Sequence, residues 1–121
     1  MAAPNLVNVA TITAKSVQAD LGTTLTTEIL ANASSSGKVF KVNNILIANI
    51  DGTNSADASV AITKSGGSPI MIASTVAVPA DSTLVVVDKN TSLYLEEGDN
   101  IEAGASATSD LTITINYEEL S

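Results

Sequence analysis

Carboxylates are the side chains of this sequence best suited to chemistry. Glu96, Glu97, Asp99 and Glu102 lie close together in the chain. Two acids on either side of a sugar can hydrolyse a glycosidic bond. However, residues 96–99 include a glycine and lie between two apolar segments, which favours a solvated hairpin turn over a catalytic pair. Sugar sites also favour aromatic platforms, and aromatic residues make up only 2% of this chain.

A second polar segment could hold a cation. Asp51–Asp57 alternates oxygen-bearing side chains in the manner of part of a calcium loop. It lacks the glycine at the sixth position and the bidentate glutamate at the twelfth that the EF-hand pattern requires. The segment is therefore interpreted as a polar loop with an Asp-Gly turn.

Two absences exclude much of the remaining chemistry. The chain has no histidine and no cysteine. Catalytic triads built on histidine and the usual zinc sites need one or both of these residues. No glycine-rich phosphate loop is present either. The sequence therefore predicts a protein that is not an enzyme and has no cofactor.

The charge balance bears on partners and location. Thirteen acids against five lysines give a net charge of −8, which would repel the phosphates of nucleic acid. No run of about 18 apolar residues predicts a membrane helix, and the first residues lack the basic and apolar regions of a signal peptide. We expect no nucleic-acid or membrane partner, and synthesis in a cytoplasm.

The elements that would position these side chains are strands. Val, Ile and Thr favour pleated structure, and clusters of Gly, Asn, Asp and Pro divide the chain into short segments. This pattern predicts one all-β domain over residues 1–121, an antiparallel β-sandwich of jelly-roll-like or Greek-key type. About eight strands are expected, at roughly Leu6–Ala14, Thr23–Ala31, Val39–Ile50, Ala58–Thr63, Ile70–Val78, Thr83–Asp88, Asn100–Ala107 and Leu111–Glu118.

Two of these segments make specific predictions about strand geometry. Val39–Ile50 changes the phase of its apolar residues at Asn43-Asn44, which predicts a bulge or a bend. Residues 111–118 alternate strictly, which predicts a strand with one buried and one wet face. The expected inward residues of that strand are Leu111, Ile113, Ile115 and Tyr117.

Three unbroken apolar triplets point to contacts between subunits. Residues 45–47, 70–72 and 85–87 would each place aliphatic groups on both faces of a strand, whereas an isolated sandwich buries only one face. A neighbouring copy would cover the outer face, so a homotrimer or another homo-oligomer is expected. The alternative is a monomer with scattered exposed side chains. The predicted interface residues are Ile45, Ile47, Ile70, Ile72, Val85, Val87, Pro4 and Leu6, with residues 1–5 as an arm that reaches a neighbour.

Longer stretches carry a resemblance to a known group. Residues 78–99 run from an apolar strand through Asp88-Lys89 into a Leu-Tyr-Leu segment and an acidic Gly-Asp turn, and residues 113–121 close on a strand with Tyr-Glu. These stretches, together with residues 4–13 and 48–54, resemble small structural proteins of tailed-phage virions. The resemblance implies a virion component assembled in the host cytoplasm, and it brings no active-site residues.

The sequence therefore favours a capsid decoration (cement) protein on the outside of a phage head, in contact with the major capsid protein. Such a protein is expected to cluster about a symmetry axis, because symmetry uses one surface patch repeatedly. A neck, tail or fibre-associated virion protein is the nearest alternative. A module that binds glycans or a host surface, and an enzyme with two acids in a cleft, are the others.

Overall fold

Nine β-strands account for most of the structure, a computed structural model that describes residues 6–25 and 28–121. Short 3-10 turns at Leu6–Asn8 and Lys89–Thr91 are the helical segments of this part of the chain, and neither could span a bilayer. The strands are β1 (Ile12–Asp20), β2 (Glu28–Ala31), β3 (Val39–Asn49), β4 (Ala56–Thr63), β5 (Ile70–Val78), β6 (Thr83–Val87), β7 (Leu93–Leu95), β8 (Asn100–Ala105) and β9 (Leu111–Leu120).

The strands form two antiparallel sheets that pack face to face. One sheet has the order β1-β9-β3-β6, with β7 pairing to the same edge of β3 as β6, and the other has the order β2-β8-β4-β5. The pairing is nested, since β1 pairs with β9, β2 with β8, β3 with β6 and β7, and β4 with β5. With β6 and β7 taken as one interrupted strand, this is the eight-strand wrapping of a jelly roll. The predicted all-β sandwich is confirmed.

The core is aliphatic because strict alternation directs one face of each strand inward. Leu111, Ile113 and Ile115 of β9 are fully buried, as the alternation predicts, and Tyr117 is half-buried at the end of the row. Its ring lies 5.1 Å from that of Phe40, measured between centroids. The second sheet contributes alanines and larger aliphatic side chains to the same core, at Ala56, Ala58, Val60, Ile101 and Ala103.

The bulge predicted in the third strand is confirmed. The pairing of β3 with β9 shifts between Val42 and Asn44, so Asn43 is an extra residue in the strand. This extra residue resets the alternation, and Val42 and Ile45 are consequently both fully buried despite their opposite parity.

The predicted bounds of the first two strands are wrong by more than two residues, and one short strand was not predicted. The first strand begins at Ile12 rather than at Leu6, because its extent follows its partner β9, in a register from Ile12–Leu120 to Asp20–Thr112. Residues 23–25, where the second strand was predicted to begin, are not in a strand, and β2 is described from Glu28. The short strand β7 was not predicted, because its three residues form a strand through pairing with β3 and not through a pattern of their own.

A buried asparagine joins the two sheets. Asn49, at the end of β3, donates from Nδ2 to the carbonyl of Val78 at the end of β5 (2.9 Å) and to that of Asn54 (3.0 Å). Its Oδ1 accepts from the backbone N–H of Asp51 (2.8 Å). Two of these contacts satisfy backbone groups of the turn between β3 and β4, and the contact with Val78 links this turn to the end of β5, which fixes this end of the sandwich.

Candidate functional site

The acidic turn at residues 96–99 is a structural junction. Asp99 is 1% exposed, and its carboxylate accepts hydrogen bonds from the Lys64 ammonium (2.5 Å), from the backbone N–H of Ser65 (3.1 Å) and from that of Glu96 (2.9 Å). Glu96 shares the same ammonium at 3.0 Å, and Glu97 accepts from the backbone N–H of Gly37 at 2.9 Å. These carboxylates hold three loops together. A turn at this position is confirmed, but the prediction of a solvated hairpin is wrong, because β7 and β8 lie in different sheets and Asp99 is buried.

The pKa values at this junction follow from its hydrogen bonds. Burial raises the pKa of Asp99, but the bonds from Lys64 and from the backbone N–H groups of Glu96 and Ser65 outweigh it, so the pKa lies below its ordinary value. The bonds to Asp99 and Glu96 raise the pKa of Lys64. A general acid needs a pKa raised towards neutrality, and Asp99 departs in the opposite direction.

The polar loop that begins at Asp51 uses its oxygens internally. The Asp51 carboxylate accepts from the backbone N–H groups of Thr53 (2.8 Å) and Asn54 (3.3 Å), and these bonds lower its pKa. This is an Asx-type turn that closes the loop on itself. Within residues 6–25 and 28–121, no group of three or more His, Cys, Asp or Glu side chains is arranged to hold a metal ion.

The predicted interface residues divide into two groups. Ile45 and Ile47 are 0% exposed and Val87 is 5% exposed. They lie in the core, so their assignment to a contact surface is wrong. The physical reason is the two-layer fold, in which Ile45 and Ile47 share the inward face and only Leu46 between them points outward.

The other predicted residues remain at the surface. Ile70 is 65% exposed, Ile72 is 39% exposed and Val85 is 53% exposed. Leu6 is exposed in the first 3-10 turn. Pro4 and the predicted arm at residues 1–5 lie outside the described residues.

The exposed members of this set that lie in strands come together on one side of the sandwich. β5 is the edge of one sheet, and β6 and β7 form the facing edge of the other. We call β5, β6 and β7 the uncharged side, because they are the three of the nine described strands without a charged residue. The sequence reasoning missed three further exposed side chains on this side, Met71, Val76 and Tyr94.

A signal for this surface was present in the sequence. Residues 65–80 form an uninterrupted stretch without a charged side chain, in a chain where charged residues make up 15% of the total. Eight of the nine residues of β5 are at least partly exposed, and only Val78 at its end is buried. An edge strand without Lys or Asp is unusual, because exposed edges are commonly protected by charge.

A small pocket lies on the outer face of the second sheet, with a volume of about 210 Å³. Gly104 forms part of its lining, and a Cβ there would lie 3.1 Å from the backbone of Leu25, which passes over the sheet. Four residues with hydroxyl groups and one with a carboxylate also line this pocket, namely Thr23, Ser59, Thr75, Ser106 and Asp57.

The comparisons with known proteins identify no relative. No protein-family model matches the chain, and no curated protein matches it. The functional argument therefore starts from the arrangement of residues in the structure. This arrangement offers a rigid sandwich, loops fixed by their own acids, and one broad uncharged side.

Proposed function

We propose that this protein is a non-enzymatic structural subunit of a tailed-phage virion, and specifically a decoration (cement) protein on the outside of the head. The observation that carries the proposal is the exposed apolar surface of the uncharged side, which includes Ile70, Ile72 and Val85. Large exposed apolar patches on small proteins mark contacts with other proteins.

Three further features support a structural role. Asp99, Asp51 and Glu119 each accept two or more hydrogen bonds or ion pairs within the chain, so these acids hold the fold together. The jelly roll is a fold used by viral shell domains, although a fold alone does not determine a function. The net charge of −8 keeps such a subunit from binding the packaged DNA. The resemblance of residues 78–99 to phage structural proteins agrees with these features.

The test is the stoichiometry of purified particles of a phage that encodes this chain. Quantitative mass spectrometry should give a copy number comparable with that of the major capsid protein. Particles stripped of the protein should break at a lower temperature, and added purified protein should restore their stability. A low copy number confined to the tail vertex would reject the decoration role in favour of a neck, tail or fibre protein.

A second candidate function rests on the pocket beside Asp57. Hydroxyls and a carboxylate are groups that hydrogen-bond to sugars, and Leu25 adds an apolar residue to the lining of this pocket. A glycan array probed with the wild-type protein and with Asp57→Asn tests this candidate. Binding that is lost in the variant would favour a glycan-binding module. An absence of binding by the wild type would reject this candidate function.

A further inference from the structure

We infer that the uncharged side is the surface on which a second copy of this chain docks. The inference concerns association in solution and does not depend on the proposed role in a virion. It rests on the distribution of charge, on the shape of the edge strand β5 and on the size of the surface.

Charge favours a copy of the same chain over a different partner. Two copies that each carry a net charge of −8 repel one another wherever their carboxylates approach. On the opposite side of the sandwich, β1 carries Asp20 and β2 carries Glu28, whereas the uncharged side has no acid in any of its strands. A basic partner would be attracted most strongly to the acidic surfaces. A second acidic copy meets the least electrostatic repulsion on the uncharged side.

The surroundings of this side match the anatomy of a protein interface. Charged residues lie at its margins, in the turns that follow β4, β5, β6 and β7. Interfaces typically have a centre depleted of charge and a polar rim. The marginal residues are Lys64, Asp81, Asp88, Lys89 and Glu96.

Irregularities in β5 determine how the copies meet. Its register with β4 shifts twice, between Ala58 and Val60 and between Val60 and Ala61. At the first shift Thr75 has a φ of 47°, and its N–H donates to the Ser59 hydroxyl at 3.0 Å. Bulges of this kind interrupt the backbone ladder that an added strand would need. The second copy therefore packs through side chains and does not extend the sheet.

The available surface is large enough for such a contact. A nine-residue strand is about 30 Å long, and two sheets about 10 Å apart with their side chains give a width of about 20 Å. The resulting area of about 600 Å² approaches the roughly 800 Å² per partner of a standard interface. Because each copy presents the same surface, the assembly closes by rotational symmetry.

The chain offers a matched pair of positions for a test. Ile70 on the uncharged side is 65% exposed, and Ile12 on the opposite side is 63% exposed. Both lie at the first position of an edge strand. Ile70→Glu and Ile12→Glu therefore add the same charge to equally exposed sites, and Val85→Glu provides a second change on the uncharged side. Circular dichroism verifies that each variant is folded.

Light scattering behind a sizing column gives the mass of each protein at one concentration. We expect a wild-type mass that is a multiple of 12.2 kDa, the same multiple for Ile12→Glu, and the mass of one chain for Ile70→Glu and Val85→Glu. A monomeric wild type would overturn the inference and leave this side to a different partner. Dissociation by Ile12→Glu alone would also overturn it, in favour of a contact through β1.

The two proposals fail separately. An oligomer that is absent from purified particles would reject the virion role and retain the docking surface. A protein that is monomeric in solution but present at high copy number on particles would retain the virion role and reject the docking surface.

Discussion

The ammonium of Lys64 lies 2.5 Å from Oδ2 of Asp99 and joins the turn after β4 to the turn before β8. The two partners differ in their surroundings, since the Lys64 side chain is 53% exposed and that of Asp99 is 1% exposed. This contact therefore stabilises the fold mainly by giving a buried carboxylate a hydrogen-bond donor. Three donors share that task, and two of them are backbone N–H groups.

Replacement of Asp99 tests this junction. Asp99→Ala leaves the N–H groups of Ser65 and Glu96 without their acceptor, and we expect a loss of about 2–4 kcal/mol in the free energy of unfolding. Glu96→Ala removes only the exposed ion pair between Glu96 and Lys64, and it should lower the free energy of unfolding by less than about 1 kcal/mol. Urea unfolding of both variants measures the difference. Equal losses would contradict the structural role of Asp99.

The junction also predicts how stability depends on pH. The pKa of Asp99 is lower in the folded chain than its ordinary value of 3.8, and that of Glu119, which pairs with Lys15 and Lys38, is lower than 4.5. Each group contributes stability that is fully present above its unfolded pKa and is lost as the pH falls through its folded pKa. The urea midpoint should therefore decline with acidification below about pH 5.

A neutral substitution identifies the source of that decline. Asp99→Asn cannot titrate at this position, so its urea midpoint should be lower at neutral pH and should fall less steeply towards acid than that of the wild type. Glu119→Gln should flatten the profile by a smaller amount, since the side chain of Glu119 is 12% exposed and that of Asp99 only 1% exposed. Parallel profiles for Asp99→Asn and the wild type would show that other groups dominate acid unfolding.

Replacement of three glycines by alanine distinguishes the destabilisation caused by a positive φ from that caused by a steric clash of the added Cβ. Gly22 has no positive φ, and a Cβ added there would meet no atom within 4 Å. Gly66 has a φ of 73° and equally open space, whereas Gly98 has a φ of 87° and a Cβ on it would lie only 2.6 Å from Oγ of Ser65. Replacement by alanine should be neutral at Gly22, should cost about 1–2 kcal/mol at Gly66 and should cost more at Gly98. Thermal unfolding gives the order, and a harmless Gly98→Ala would contradict this packing.

Two isoleucines three positions apart test the division between core and surface. Ile47 is 0% exposed, and Ile50 is 59% exposed just after the end of the same strand. Ile47→Ala should lower the free energy of unfolding by about 2–5 kcal/mol, because it leaves a cavity in the core. Ile50→Ala should change it by about 0.5 kcal/mol or less. Similar losses of stability for the two variants in urea unfolding would contradict the burial of Ile47 in the core.

The sequence was sufficient for the features that depend on local pattern. Alternation identified the inward face of β9, the phase change at Asn43 identified the bulge, and the glycine and acids at residues 96–99 identified a turn. Each of these signals is contained within about ten residues. The bounds of β5, Ile70–Val78, were also predicted correctly for this reason.

Features that depend on distant partners could not be obtained in this way. An apolar triplet does not reveal which strand is central and which is an edge, so buried Ile45 and exposed Ile70 looked equivalent. β7 exists because β3 offers a free edge, and the role of Asn49 depends on Val78 in the other sheet. The uncharged side required the topology, since only the topology places β5 beside β6 and β7.

The position of β9 has a consequence for biosynthesis. This strand, which comes last in the order of the chain, lies between β1 and β3 in its sheet. Until residues 111–120 leave the ribosome, β1 has no strand to pair with and the side of β3 that pairs with β9 stays open. The pairing of Ile12 with Leu120 also closes a loop that spans most of the sequence, which makes folding slow relative to helical proteins of similar size. The nascent chain therefore exposes its future core until residues 111–120 have been synthesised, and a chaperone that shields β3 during that interval would raise the yield of folded protein.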